Sequence, residues 1–108
     1  MNKPIVMISQ PMRNRTKAEI EETRNNAITL LESKGYEVMD SYFSEEWKDL
    51  HDKEVKHIPL WFLAKALECM AECDAVYFCE GWEKTRGCLI EHNAAAAYGL
   101  EMFYEEPK

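Results

Sequence analysis

The stretch Gly81–Gly99, GWEKTRGCLIEHNAAAAYG, holds the side chain best placed to react, the carboxylate of Glu91. An apolar run, Asp74-Ala-Val-Tyr-Phe-Cys79, precedes it and is short and β-rich enough to be a buried strand. Gly81 and Gly87 bracket a loop, and the residues from Gly87 to Tyr98 are good helix formers. Strand, glycine-bounded loop and helix is the arrangement by which an α/β sheet presents a site at the carboxyl ends of its strands. Glu91 falls about one turn into the helix, where side chains lean toward the N-terminus, so its carboxylate should point back at the loop. The helix N-terminus should keep that carboxylate ionised while backbone N–H groups orient it, which makes Glu91 the candidate reacting group. The plainer reading is a helix-start glutamate favoured by the dipole alone.

The elements that must position this group follow a simple order. Pro4-Ile-Val-Met-Ile8 reads as a first, central strand, followed by the polar loop Ser9-Gln-Pro-Met-Arg-Asn14. Thr16 stands three residues before Glu19, a capping-box pattern, and predicts a helix over 17–34 with Ile20, Ala27, Leu30 and Leu31 on its buried stripe. Gly35 stops it, and Tyr36–Met39 starts a second strand. Residues 40–57 are charged and carry Tyr42, Phe43 and Trp47, which predicts an excursion over the strand ends with a short helical piece around 45–50. Pro59 fits a first helical turn, and the helix it opens, ending near Glu72, is apolar nearly all round. One face should cover the sheet, and the rest predicts a homo-oligomer joined through the 58–72 helix. Ala94–Ala97 should let the last helix lie close to the sheet, and Leu100–Tyr104 completes a fourth strand. The expected fold is a small Rossmann-like three-layer α/β/α sandwich. Its mainly parallel four-stranded sheet has the order 2-1-3-4.

Bulk properties narrow the function. The 108 residues, 46% of them apolar, can bury one core and not two, so residues 1–108 are read as a single domain. A net charge of -7 argues against a general nucleic-acid binder, which would need a basic face. No apolar run approaches membrane-spanning length, and the first residues lack the long apolar core of a signal peptide, so a cytoplasmic protein without membrane attachment is expected. Cys69, Cys73, Cys79 and Cys88 are then reduced thiols; neither pair has C-x-x-C spacing, and buried small hydrophobes are the favoured reading over a metal site. No cofactor is expected. Ser9-Gln10-Pro11 is not G-x-G-x-x-G, and Cys88-Leu89 stands where a P-loop needs Lys-Ser/Thr.

Ile8-Ser-Gln-Pro-Met12, Gly81-Trp-Glu83, Gly87-Cys88 and Glu91, with Ala94 and Gly99, together resemble the DUF4406 group. That group is related to the nucleoside 2-deoxyribosyltransferases and the 2'-deoxynucleoside 5'-monophosphate N-glycosidases. The resemblance to DUF4406 spans essentially the whole chain; the link to the enzymes rests on the loop after the first strand and the G-x-x-x-E helix start. It implies a small-molecule nucleoside or nucleotide ligand and a glutamate, here Glu91, that attacks the anomeric carbon of deoxyribose. It further implies a pocket lined by Ser9, Gln10, Arg13, Gly81, Trp82, Glu83 and Gly87. Two positions depart from the pattern. Lys65 stands near the place of an acidic partner that assists the leaving base, and Gln10 stands where many relatives have glycine.

Each of these residues also has a plainer reading. Glu83 suits a solvated loop acid, Trp82 a core or interface aromatic, and Arg13 and Arg86 are either exposed cations or partners of a 5'-phosphate. His92 adjoins Glu91, but neighbouring helix positions diverge by about 100°, which makes it a poor partner for the nucleophile. Two functions follow: N-glycosidic bond cleavage or deoxyribosyl transfer, or a non-catalytic nucleotide-binding or sensing module of the same fold.

Overall fold

Val6, Met7 and Ile8 point alternately to the two faces of their strand and all three are buried, so β1 (Ile5–Ser9) must be covered on both sides. The computed structural model describes residues 3–39 and 53–106. After β1 these form α1 (Lys17–Ser33), β2 (Glu37–Val38), α2 (Ile58–Met70), β3 (Ala75–Phe78), a 3-10 turn (Trp82–Lys84), α3 (Arg86–Ala97) and β4 (Glu101–Tyr104). The four strands make one sheet, every pairing parallel, in the order β2-β1-β3-β4. Met7 lies opposite Val76 and Ser9 opposite Phe78 in the central pair. This is the expected small Rossmann-like α/β fold.

Alternation along β1 and β3 divides the core in two. Val6, Ile8, Ala75, Tyr77 and Cys79 pack with Ala27 and Leu31 of α1. Met7, Val76 and Phe78 pack on the other face with Met70 of α2 and Ala95 of α3. Each large apolar side chain so buried contributes roughly 1.5–3 kcal/mol, which makes β1 and β3 the anchor of the sheet.

The helix starts follow from local chemistry. Thr16 Oγ1 accepts from Glu19 N at 3.1 Å and Glu19 Oε1 accepts from Thr16 N at 3.0 Å, the reciprocal capping box expected of that spacing. The stripe of α1 differs at two positions: Arg24 is buried and Leu30 is 40% exposed. Residues 20, 24, 27 and 31 lie on one helical face, whereas Leu30 is rotated about 100° from Leu31. Pro59 sits in the first turn of α2, which begins one residue earlier and ends at Met70 rather than Glu72. The second strand is two residues, shorter than 36–39. Of the four alanines, Ala95 is fully buried against the sheet while Ala96 and Ala97 are exposed. Of the excursion expected over 40–57, residues 40–52, with the short helical piece around 45–50, lie outside the described residues; residues 53–57 form neither helix nor strand. No helix among the described residues is long and apolar enough to cross a membrane.

Candidate functional site

The chain leaves β1 toward α1 and β2 on one side, while β3 and β4 lie on the other. The carboxyl ends of β1 and β3 are therefore the point where the strand order reverses, the usual crevice of an open α/β sheet. Two loops meet there, residues 10–16 and 79–85. Cys79 N donates to Ser9 O at 2.9 Å, extending the β1–β3 pairing to its last residue. Gly81 turns the second loop with φ +92, a conformation that favours glycine. The Arg15 guanidinium crosses from the first loop, donating to Glu80 O at 3.3 Å, and its Nη2 stands 3.0 Å from where a Cβ on Gly81 would be.

Glu91 is the sixth residue of α3, and its side chain does lean back toward the helix start. Its Oε2 lies against Gly87, one turn earlier, 3.9 Å from where a Cβ there would stand. The residue is 9% exposed, and among the described residues no cation pairs with it. Burial pushes its carboxyl up to about 7, a rise partly opposed by the Ser9 hydroxyl. The expectation that the helix N-terminus keeps it ionised is thus overturned. Glu91 stands in the second turn, past the strongest part of the dipole field, and desolvation dominates. Ser9 Oγ forms no hydrogen bond of good geometry, yet it lies close enough to act on both the Glu91 carboxyl and the Cys88 thiol.

An open groove of about 1590 Å³ runs across the strand ends, walled by residues 11–15, 80–87, Pro59, Tyr104 and Glu105. Five of the expected site residues, Arg13, Gly81, Trp82, Glu83 and Gly87, lie on it. The other three lie behind it: Ser9 is 1% exposed, Gln10 is buried with its Nε2 donating to Ile20 O at 2.6 Å, and Glu91 lies beneath Gly87. The groove brings together the cations Arg13, Arg15, Lys84 and Arg86 and the acids Glu80, Glu83 and Glu105. Thr85, the N-cap of α3, makes no side-chain capping bond, and its hydroxyl donates to Gly81 O at 3.4 Å instead. Among the described residues no side chain accepts from the first N–H groups of α3, a local preference for an anion. Lys65 pairs with Glu68 at 3.4 Å on the outer surface of α2 and lies 5.5 Å from the Trp61 ring centroid.

Sequence reasoning missed three contributors. Arg15 was indistinguishable from Arg13 by type, but it directly precedes the Thr16 N-cap and is carried across the strand ends, whereas Arg13 is exposed. Glu105, which reads as part of a polar tail, accepts from Glu80 N at 2.8 Å and ties the last strand to the Gly81 loop. His92 Nε2 and Tyr104 Oη share a hydrogen bond at 2.7 Å, and the His92 ring stacks on Trp82 at 4.3 Å and 17°. His92 thus serves the Trp82 wall, not Glu91. The thiols of Cys79 and Cys88 are buried and pushed up by that burial to about 12 and 11, which removes them as nucleophiles near neutral pH. Among the described residues no group of three His, Cys, Asp or Glu side chains is placed to hold a metal ion.

No curated protein matches the chain. One family does: the model described as "Domain of unknown function (DUF4406)" matches residues 5–104, a span that runs from the first residue of β1 to the last of β4 and includes every groove residue described above except Glu105. The chain belongs to the DUF4406 family.

Proposed function

We propose that the protein cleaves, or exchanges, the N-glycosidic bond of a deoxynucleoside or its 5'-monophosphate, with Glu91 as nucleophile. One observation carries this reading: a buried carboxyl at the switch point of the sheet, its Oε2 set against Gly87, a glycine that lines the groove. The resemblance to the deoxyribosyltransferases supplies the substrate class. In the reaction a Glu91 oxygen bonds to the anomeric carbon as the C–N bond breaks and its electron pair leaves with the base, which takes up a proton. Water, or a second base, then attacks the same carbon and returns Glu91 as a carboxylate. Arg15, with Arg13, Lys84 and Arg86 on the same wall, suits a 5'-phosphate. Trp82 and Glu83 would face the base and sugar, while Ser9 and Gln10 support the groove from behind. The setting is cytoplasmic and no cofactor takes part. Leu60 at 59% exposure and Ile90 at 41% leave an apolar surface where α2 meets α3, which suits a second copy of the chain.

A non-catalytic nucleotide sensor is the second reading, favoured by Lys65 standing where the related enzymes carry an acid and pairing outward with Glu68. The two readings part in one experiment. The protein and its Glu91→Ala variant are incubated with deoxynucleosides and their monophosphates, and free base is followed by chromatography. Release by the native protein and none by the variant supports the enzyme. Nucleotide binding without release supports the sensor, and neither release nor binding removes both.

A further inference from the structure

We propose that Ser9 is a positioning residue for Glu91: from behind the groove wall its hydroxyl donates to the carboxylate, holding it anionic and in place under Gly87. The proposal rests on the reading of Glu91 as the reacting group, but its test does not need turnover. Ser9 ends β1 two residues after Met7, so both side chains point to the sheet face covered by α2 and α3. At 1% exposure it is sealed from the groove, and no ligand there can touch it. Its Oγ is buried and, among the described residues, without a hydrogen bond of good geometry, an arrangement native proteins rarely leave unexplained.

Met7 and Ala95 of α3 share one core cluster, and Ser9 stands two residues beyond Met7 as Glu91 stands one turn before Ala95, so the two buried side chains come together at the strand end. Consistent with that placement, the hydroxyl acts to lower the pKa of the Glu91 carboxyl and of the adjacent Cys88 thiol. A thiol and a protonated carboxyl are weak acceptors, whereas a carboxylate accepts a short, charge-assisted bond. The Ser9 bond therefore strengthens when Glu91 loses its proton, and it works against the burial that favours the neutral acid. The other groups facing this point do not replace it. Cys88 and Cys79 are buried thiols on α3 and at the end of β3, and Arg15 acts on those two thiols from the first loop. On α2, Lys65 is paired with Glu68, and Cys69 packs in the core. His92 is bound to Tyr104.

The test is the titration of the Glu91 side-chain carbonyl carbon by NMR in the empty protein. Ser9→Ala is expected to move that titration upward by about one pH unit, so that roughly tenfold less carboxylate is present at a given pH below it. Ser9→Cys, a poorer donor of similar shape, should move it in the same direction and serves if Ser9→Ala does not fold. Adding Cys88→Ser to Ser9→Ala places a hydroxyl at the neighbouring position and should return part of the shift. A titration unchanged or lowered in a folded Ser9 variant overturns the proposal, whether or not the native protein releases base. Absence of base release alone overturns the enzyme reading and leaves this titration legible.

Discussion

Glu91 Oε2 lies 3.9 Å from the point where a Cβ on Gly87 would stand, an ordinary contact distance in a helix of ordinary backbone. Neither strain nor crowding therefore demands glycine at position 87, and a helical glycine costs up to about 1 kcal/mol relative to alanine. On the proposed function, its use is the space it leaves beside the carboxyl. Gly87→Ala is expected to raise the melting temperature or leave it unchanged, while nucleotide binding or turnover falls roughly tenfold or more, as small displacements at a reacting centre do. Unaltered binding and kinetics in a stabilised variant would show that the ligand does not approach Glu91 from this side.

Gly81 behaves oppositely. Its φ of +92 suits glycine, and a Cβ there would meet Arg15 Nη2 at 3.0 Å. Gly81→Ala should destabilise the protein by about 1–2 kcal/mol through the backbone alone. Pairing it with Arg15→Ala should recover only the steric part, measurable by denaturant unfolding of the single and double variants. Full recovery would place the whole cost in the arginine contact.

Burial of Glu91 has a stability consequence with a definite sign. Its carboxyl titrates at about 7 in the fold against an ordinary value of 4.5, so between those two pH values the folded chain holds a proton that the unfolded chain has lost. Stability contributed at this site therefore falls as pH rises from about 4.5 to 7 and stays low above. Glu91→Gln removes the cost, and the variant should be more stable than the native protein at pH 8 by on the order of 2–3 kcal/mol, with the difference vanishing near pH 4. Equal unfolding curves at pH 8 would contradict the buried setting.

The same group sets the expected acid limb of activity. A nucleophilic carboxylate must be ionised, so base release should rise with pH through about 7 and level off above it. The limb should appear in kcat/KM, which reports the free enzyme. A limb near 4.5 would mean that Glu91 is not the group titrating, or that it is solvated before substrate binds.

Most of the fold was legible because its signals are local and redundant. The β-branched runs of β1 and β3, the Thr16–Glu19 box and the glycine stops each rest on a few adjacent residues. Leu30 was misplaced because a leucine beside Leu31 reads as core, while Arg24, the true member of the stripe, is a type seldom buried. At the strand ends, the place of Glu91 on its helix and of Gly81 and Gly87 around the loop was legible from spacing. What spacing cannot give is depth. Ser9 and Gln10 read as pocket residues because they follow the first strand, but the pleat turns Ser9 toward α3 and Gln10 reaches Ile20 of α1. The ionisation of Glu91 depends on that depth as well, since burial and helix dipole oppose each other.

On the proposed function, Arg15 is the side chain expected to distinguish a phosphorylated substrate from a free nucleoside. One of its N–H groups is used by Glu80 O, and its fork stands at the groove beside the uncapped start of α3. Arg13 lines the same groove but is exposed, so its charge is screened by solvent. Arg15→Gln is therefore expected to raise KM for deoxynucleoside monophosphates by about tenfold or more, with Arg13→Gln weaker and both changes small for unphosphorylated nucleosides. Because Arg15 also pins the Gly81 loop, melting curves must accompany the kinetics. A loss confined to phosphorylated substrates assigns the arginine to the phosphate, whereas an equal loss on both classes, tracking a lowered melting temperature, assigns it to holding the loop.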